Sequence, residues 1–524
     1  MDPALAVETA FKAKHRNIEE ALLRGDSDVA KLYDDATIFI TGGSGFLGKQ
    51  LIEKLIRSCN VRKVYVLLRL KKGKPAQVRL HEILSDPVYD PLKKLYPNFT
   101  DKIIPIDGDV RELKMCLSED DWKTITEEVN VIFHMAATVN FQEDVRTATI
   151  TNVRGTREMM LLARACRQLK SMVHVSTAYS HATRHRINKA VREDFYEAPI
   201  APEDMITLAE NNEIDYLNDI LKSRGSDWPN TYTFTKAVAE ETVRTMAADL
   251  PVCVVRPAIV IAAYREPSPG WVDSNQVLGA SGLVLGSILG VIHVIRGDTN
   301  NRMDFIPVDV VTNVLVAAGW DTARTHGQSG RQTKIYNVTS NRNHLTMGHL
   351  VLIIDTKARE FISPKTVWYG FMNLAKHKFV YIILNWLQHY IPASIVDSAL
   401  YITGKKLRLL KIYKKINNLG SVLSYFTLNE WLFEDGNTLG LYNSLSTTDK
   451  VLFNCDMSLV DNTELIVMWI LGLRRYIVKD DLNNTEYGRK KQLLFRIAHY
   501  IFMTLYLYLI YKLMCFVFSV IGFF

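Results

Sequence analysis

Cysteine is sparse and unpaired in this 524-residue chain. Its six cysteines, at positions 59, 116, 166, 253, 455 and 515, include no CxxC spacing. Neither a disulfide framework nor a thiolate zinc site is therefore suggested, and the body is expected in a reducing compartment. Also missing is an arginine and aromatic array suited to bases. The net charge of +7 at pH 7 is modest for this length and the basic residues gather late, so nucleic acid is not an expected partner. The first residues, MDPALAVETAFKAKHRNIEE, lack the apolar core and small-residue cleavage site of a secretory signal. The NxT sequons at Asn98, Asn337 and Asn483 are then expected to be chance matches. His181 and His185 in HATRH have helical metal spacing but lack the glutamate of HExxH, so a solvated loop and no metal site are expected.

What is present is enough apolar residue, 48% of the chain, to bury a large core in more than one structural unit. The run DDATIFIT is short and β-branched and leads directly into GGSGFLGK, after which KQLIEKLIRSC has helical spacing. Gly43, Gly45 and Gly48 satisfy GxGxxG, and Gly42, Gly45 and Gly48 give GxxGxxG, both forms of a dinucleotide turn. The same stretch spells GxxxxGK, most of a triphosphate loop. That loop needs a hydroxyl after the lysine to hold magnesium, and Gln50 has none. A dinucleotide turn is left, with Thr41, Gly42, Gly43, Ser44, Gly45, Phe46, Leu47 and Gly48 around the pyrophosphate at a helix N-terminus, and with Lys49 expected in solvent.

Further apolar runs, VRKVYVLLRL, DKIIPIDGDV, VNVIFHMAA, KSMVHVSTAY and PVCVV, alternate with helical pattern. They predict a doubly wound Rossmann-type parallel sheet of the α/β class. At the end of the second strand, where an acidic residue would bind a free ribose hydroxyl, stand Arg69, Lys71 and Lys72. Cations there suit a 2′-phosphate, so NADPH is the expected cofactor, although a solvated basic loop is an alternative reading of LRLKKGK. In NTYTFTKAVAEET, Tyr232 and Lys236 are four apart on a helical segment, which stacks them on one face. A neighbouring ammonium favours phenolate and tunes the phenol for proton transfer. YxxxK also occurs by chance in helices. Ser176 and Thr177 in HVSTAY, at the end of a predicted fifth strand, place a hydroxyl where it could hold a carbonyl.

TGGSGFLGK, HMAATVNF, HVSTAY, YTFTK and VVRPAIV in this order resemble an extended short-chain dehydrogenase/reductase. LLRLKKGK, WPNTYTFTKAVAE and REPSPGWVDS are similar to the fatty acyl-CoA reductases that form alcohols, over nearly the whole chain. The resemblance implies NADPH-dependent reduction of a long-chain acyl-CoA through a bound aldehyde. Tyr232 would be the proton donor, Lys236 would hold the nicotinamide ribose, and Thr177, or else Ser176, would bond the same oxygen. Asp109 and Val110 would face the adenine, Ala136, Ala137 and Thr138 the middle of the cofactor, and Arg256 with Pro257 the nicotinamide end. A sterol dehydrogenase or sugar-nucleotide epimerase, and a non-catalytic NADPH-sensing scaffold, are the competing classes.

Four segments are expected: a helical extension over 1–34, the NADPH-binding reductase unit with its acyl site over 35–345, a helical C-terminal domain over 346–488, and a basic flank with membrane anchor over 489–524. The glycine-punctuated stretch from Trp271 is expected to wall the acyl site. The apolar stretch 378–403 is broken by Asn385, His389, Pro392 and Asp397, which suits an interfacial or substrate-enclosing hairpin. Lys405, Lys406, Arg408, Lys411, Lys414 and Lys415 interleave with Leu407, Leu409, Leu410 and Ile412. That pattern suits a helix on anionic lipid, an ordinary solvated helix or a CoA-phosphate site. From Ile501 to Phe524 the only charge is Lys512, and this length crosses about 30 Å of hydrocarbon. With Arg489, Lys490 and Lys491 before it, a membrane anchor with a cytosolic body is expected, at the endoplasmic reticulum in preference to the peroxisome.

Overall fold

The structure, a computed structural model, describes residues 1–275, 279–328, 332–404 and 408–520. Lys405, Lys406 and Leu407 of the basic run, and the end of the tail from residue 521, lie outside the described residues.

Seven strands, β1 (Thr37–Thr41), β2 (Lys63–Leu68), β3 (Ile103–Asp107), β4 (Val131–His134), β5 (Ser171–Val175), β6 (Val252–Pro257) and β7 (Ile335–Val338), form one sheet in the order β3-β2-β1-β4-β5-β6-β7. Every neighbouring pair is parallel. Such a sheet is covered on both faces, which is why its strands read as continuous apolar runs. Alternation then sends successive side chains to opposite layers. In β1, Ile38 and Ile40 join one core cluster and Phe39 the other.

The first layer is built by α2 (Phe46–Ser58) and α5 (Val308–Thr325), which add Leu51, Ile52 and Leu55 and Val311 and Val314 to the core. The second is built by α3 (Gly155–Ala165) and α4 (Thr231–Met246), through Met159, Met160 and Val243. Strand order reverses between β1 and β4, and the crevice outside their carboxyl ends is where open α/β sheets bind ligands.

Lys49 is not in solvent: it is 5% exposed and pairs with Asp86 at 2.7 Å and Asp273 at 3.0 Å. The charged face of α2 is roofed by the segment after β6, which the sequence periodicity of the helix alone does not reveal. Lower on that face, Glu266 takes Lys54 at 2.6 Å and Arg57 at 2.7 Å, and Arg57 also holds Glu53 at 2.7 Å, all four buried.

The remainder is mostly helical and docks on this unit at several points. The N-terminal helix α1 (Pro3–Lys14) is pinned by Glu8 to Arg475 and by Lys14 to Glu464. Asn373–Ala375 adds a parallel strand to Val294–Arg296, and Leu432–Phe433 adds one to Ala190–Val191. Helix α6 (Lys378–Ile402), with a π-helical turn at Trp386–Tyr390, and α7 (Leu409–Leu428) form a hairpin whose tip residues Tyr401 and Ile402 are 85% and 84% exposed. Helix α8 (Asn462–Gly472) precedes α9 (Thr485–Val520), which is about 54 Å long at 1.5 Å per residue. Two of these helices, α6 and α9, are long and apolar enough to cross a membrane.

Removing one partner from a buried ion cluster strands its counter-charges, typically at about 3–5 kcal/mol. Glu266→Ala, which leaves Lys54 without a carboxylate and Arg57 with Glu53 alone, should lose that much stability in equilibrium urea unfolding. A loss no larger than that of an exposed-pair variant such as Asp28→Ala would show that the cluster does not hold α2 in place.

Candidate active site

The glycine turn is built by close approach. Gly42 has a φ of +77°, and a Cβ there would stand 2.8 Å from the backbone of Met135 and Ala136, while one on Gly48 would stand 2.3 Å from the Gly42 carbonyl oxygen. Thr41 Oγ1 accepts from the backbone N–H groups of Met135 and Ala136 and contacts His134 Nδ1 at 2.8 Å, tying the end of β1 to that of β4. Helix α2 begins after Gly45 with no side-chain cap on its N-terminus. Open backbone donors at a helix N-terminus, packed without side chains, suit a pyrophosphate.

Beyond β2, Arg69 and Lys72 are exposed. Arg79 had no signal in the sequence. It donates through Nη1 to the Arg69 carbonyl at 2.6 Å, and its Nη2 lies 3.5 Å from Ser44 Oγ in the turn. Burial, and then Arg69, push the Arg79 guanidinium down. Neither arginine has an ion-pair partner among the described residues, so an anion bound there would meet two uncompensated charges beside the turn. Asp109 is half-buried after β3 with its carboxylate held by Arg111 at 2.7 Å, and Val110 packs on Gly155. Ala136, Ala137 and Thr138 are half-buried after β4, where the Thr138 N–H donates to Asn152.

At the carboxyl end of β5 the two hydroxyls part. Ser176 points inward and donates to Glu240 at 2.5 Å. Thr177 lies within hydrogen-bonding reach of Tyr232 and 3.4 Å from the carbonyl of Pro257. Tyr232 and Lys236 are one turn apart on α4, whose N-cap is Asn230, accepting from the Thr233 N–H.

Burial pushes the Tyr232 phenol up to about 12, with a Thr177 hydrogen bond opposing. Burial also pushes Lys236 down to about 8, and its Nζ donates to the Val175 carbonyl at 2.8 Å. Burial governs the Tyr232 phenol, and no lowering by Lys236 accompanies it. Glu240, one turn further on α4, is 1% exposed and binds Arg256 through both oxygens, at 2.9 and 2.6 Å. Arg256 is fully buried in this pair and does not face the crevice as expected, while the carbonyl of its neighbour Pro257 lies 3.4 Å from the Thr177 hydroxyl. His181 is no solvated loop residue either: it is buried 3.2 Å from Glu240, while His185 is exposed 3.0 Å from Asp227.

Over the phenol lie rings that the sequence motifs did not single out. Phe141 stacks on Tyr232 at 5.8 Å, Phe426 of α7 contacts Phe141 at 5.9 Å, and Tyr179 meets Phe426 edge-on at 5.1 Å. Trp271, which opens the stretch expected to wall the acyl site, packs instead on Phe46 at 5.2 Å and donates to Asp86. Residues 276–278 of that stretch lie outside the described residues.

Two family profiles described as male sterility protein match the chain, an NAD-binding one over residues 40–315 and one termed Sterile over 388–480. Fatty acyl-CoA reductase wat of Drosophila melanogaster is 38% identical, over 91% of both chains. Fatty acyl-CoA reductase 1 of Homo sapiens is 35% identical, over 93% of both. The chain belongs to the fatty acyl-CoA reductase family. It is an oxidoreductase that uses a nicotinamide cofactor. Among solved structures, the terminal R domain of the myxalamid biosynthetic pathway matches with a TM-score of 0.57 at 21% identity, covering 84% of this chain and 91% of that one, a likeness of fold.

Gly48→Ala should weaken nicotinamide-dinucleotide binding at least about ten-fold, since a Cβ 2.3 Å from the Gly42 carbonyl oxygen overlaps it and forces the turn open. Gly440→Ala, far from the turn and with nothing within 4 Å of its Cβ, is the tolerated control. Fluorescence titration giving both variants one affinity would remove the turn from the site.

Proposed function

We propose that the chain reduces a long-chain acyl-CoA to the primary alcohol through a bound aldehyde, releasing coenzyme A thiol. The observation that carries this is the meeting of Tyr232, Thr177 and Lys236 at the carboxyl ends of β5 and β6 beneath an apolar ring cluster. Polar groups converging under an apolar cover suit a carbonyl carried on a long hydrocarbon.

NADPH supplies a hydride to the carbonyl carbon in each of two reductions; residues 41–48 would hold its pyrophosphate, Arg69, Lys72 and Arg79 its 2′-phosphate, Asp109 and Val110 its adenine side, and Ala136, Ala137, Thr138, Lys236 and Pro257 the rest. Thr177 holds the thioester oxygen as charge builds on it, and such fixed donors usually contribute the largest share of stabilisation. Tyr232 gives that oxygen its proton. A phenol pushed up to about 12 stays protonated at neutral pH and is a donor, not a base. Lys236, charged, offsets the phenolate left behind. The hemithioacetal then breaks its carbon–sulfur bond, the sulfur leaves as the thiol with one proton, and the aldehyde takes the second hydride and a second proton from Tyr232. In sum, one thioester, two NADPH and two protons give one alcohol, one thiol and two NADP⁺.

Purified full-length protein supplied with a long-chain acyl-CoA and NADPH should release free thiol and fatty alcohol. Tyr232→Phe should keep cofactor binding and lose turnover by about 100-fold or more. Arg69→Ala should narrow the preference for NADPH over NADH while Ser176→Ala, whose hydroxyl faces Glu240, leaves turnover near normal. No thiol release by the wild type defeats the reading.

The length and apolar composition of α9 support membrane attachment; a cytosolic body, at the endoplasmic reticulum in preference to the peroxisome, is part of the same proposal. Carbonate extraction of full-length protein and of a chain ending at residue 484 tests the anchor: retention in the pellet only with α9 is expected, and equal solubility overturns it.

A further inference from the structure

A cavity of about 640 Å³ opens between α6 and α7, away from the glycine turn. Three cations line it, Arg296, Lys378 and Lys414, with Tyr381, Trp386 and Asn417 between them, and no carboxylate does. None of the three has an ion-pair partner among the described residues, and Arg296 Nε is buried without a hydrogen-bond partner. Lys378 and Lys414 are exposed at the mouth, and Arg296 is half-buried; the buried cations Lys49, Lys54, Arg57, Arg256 and Arg474, by contrast, sit against carboxylates at 3.0 Å or less. The unpartnered Arg296 Nε leaves a buried donor for an anion in the cavity, and the two lysines at its mouth add charge of the same sign.

The cavity is connected to the phenol. Thr427 Oγ1 donates to the Arg296 carbonyl at 2.6 Å, and its neighbour Phe426 contacts Phe141, which stacks on Tyr232. Along α7, the twelve residues from Lys414 to Phe426 span about 18 Å. That is the order of the extended pantetheine arm between a thioester and the phosphates of coenzyme A. The volume lies in the range of sites that take a nucleotide-sized ligand, about 300–1,000 Å³.

We propose that this cavity binds the phosphorylated nucleotide end of coenzyme A, with Arg296, Lys378 and Lys414 on the phosphates and the aromatic side chains beside the base. This rests on the acyl-CoA reading above. The hairpin thereby recognises the carrier while Tyr232, about one pantetheine length away, acts on the acyl group.

The test uses full-length protein in phosphatidylcholine nanodiscs. Arg296→Ala, Lys378→Ala and Lys414→Gln should each raise the KM for acyl-CoA by about ten-fold, as expected for loss of a charged hydrogen bond. Reduction of a free fatty aldehyde, which carries no nucleotide, should stay unchanged and certifies that each variant is folded. Adenosine 3′,5′-bisphosphate should compete with acyl-CoA on the wild type and fail to compete on the triple variant. An unchanged acyl-CoA KM in the triple variant overturns the proposal, as does a defect confined to flotation with phosphatidylserine vesicles, which would assign the cations to a lipid headgroup. If the wild type releases no thiol at all, the reductase reading fails instead. Calorimetric binding of the bisphosphate to wild type and not to the triple variant would then still support the cavity as a nucleotide site.

Discussion

The buried contact between Glu240 and Arg256 organises the reactive end of the sheet. Burial raises the cost of the Glu240 carboxylate, and Arg256 with His181 more than reverses it, holding the group well below the usual range. One carboxylate then gathers Ser176 and Ser180 from the segment after β5, Arg256 from β6, and its own helix α4. Because Tyr232, Lys236 and Glu240 follow at four-residue intervals, fixing the last sets the direction of the first two. The same contact separates the two hydroxyls. Ser176 is drawn under the sheet end, so its neighbour Thr177 is left facing the phenol.

At the other end of the crevice, α2 serves two purposes with two of its surfaces. Its N-terminus and the packed glycines leave backbone donors open beside β1 and β4. Its charged face is enclosed by Asp86, Asp273 and Glu266, so Lys49, Lys54 and Arg57 are structural cations. Among the described residues Arg69 and Arg79, beyond β2, have no ion-pair partner.

Much of this was legible in the sequence because it is local. The strand runs, the glycine spacing with Gln50 after it, and the Tyr232–Lys236 pair all sit within single elements, and the parallel sheet follows from their alternation. What was not legible joins residues far apart in the chain. Glu240 looks like any helical glutamate until Arg256 and Ser176 fold onto it, and Lys49 looks solvated until Asp273 closes over α2. Phe141 and Phe426, 285 positions apart, meet only because α7 returns to the sheet. Trp271 is apolar as the acyl wall was expected to be, but apolarity alone does not say which partner buries it. Acyl chain length is unreadable for a related reason, since one methylene changes pocket fit by only about 1–3 kcal/mol.

Helix α9 does not leave the body through a linker. Gly488 packs against the Ile362 carbonyl, Arg489 donates to Glu360 O at 2.7 Å, Lys491 to Pro364 O at 2.9 Å and Gln492 to Trp368 O at 3.0 Å. Helix and body therefore turn as one lever. In the membrane-attached form proposed above, tilting the exposed part of the helix would tilt the crevice with it, so bilayer thickness, acting on the apolar length of α9, would set the height and bearing of the crevice mouth above the lipid surface.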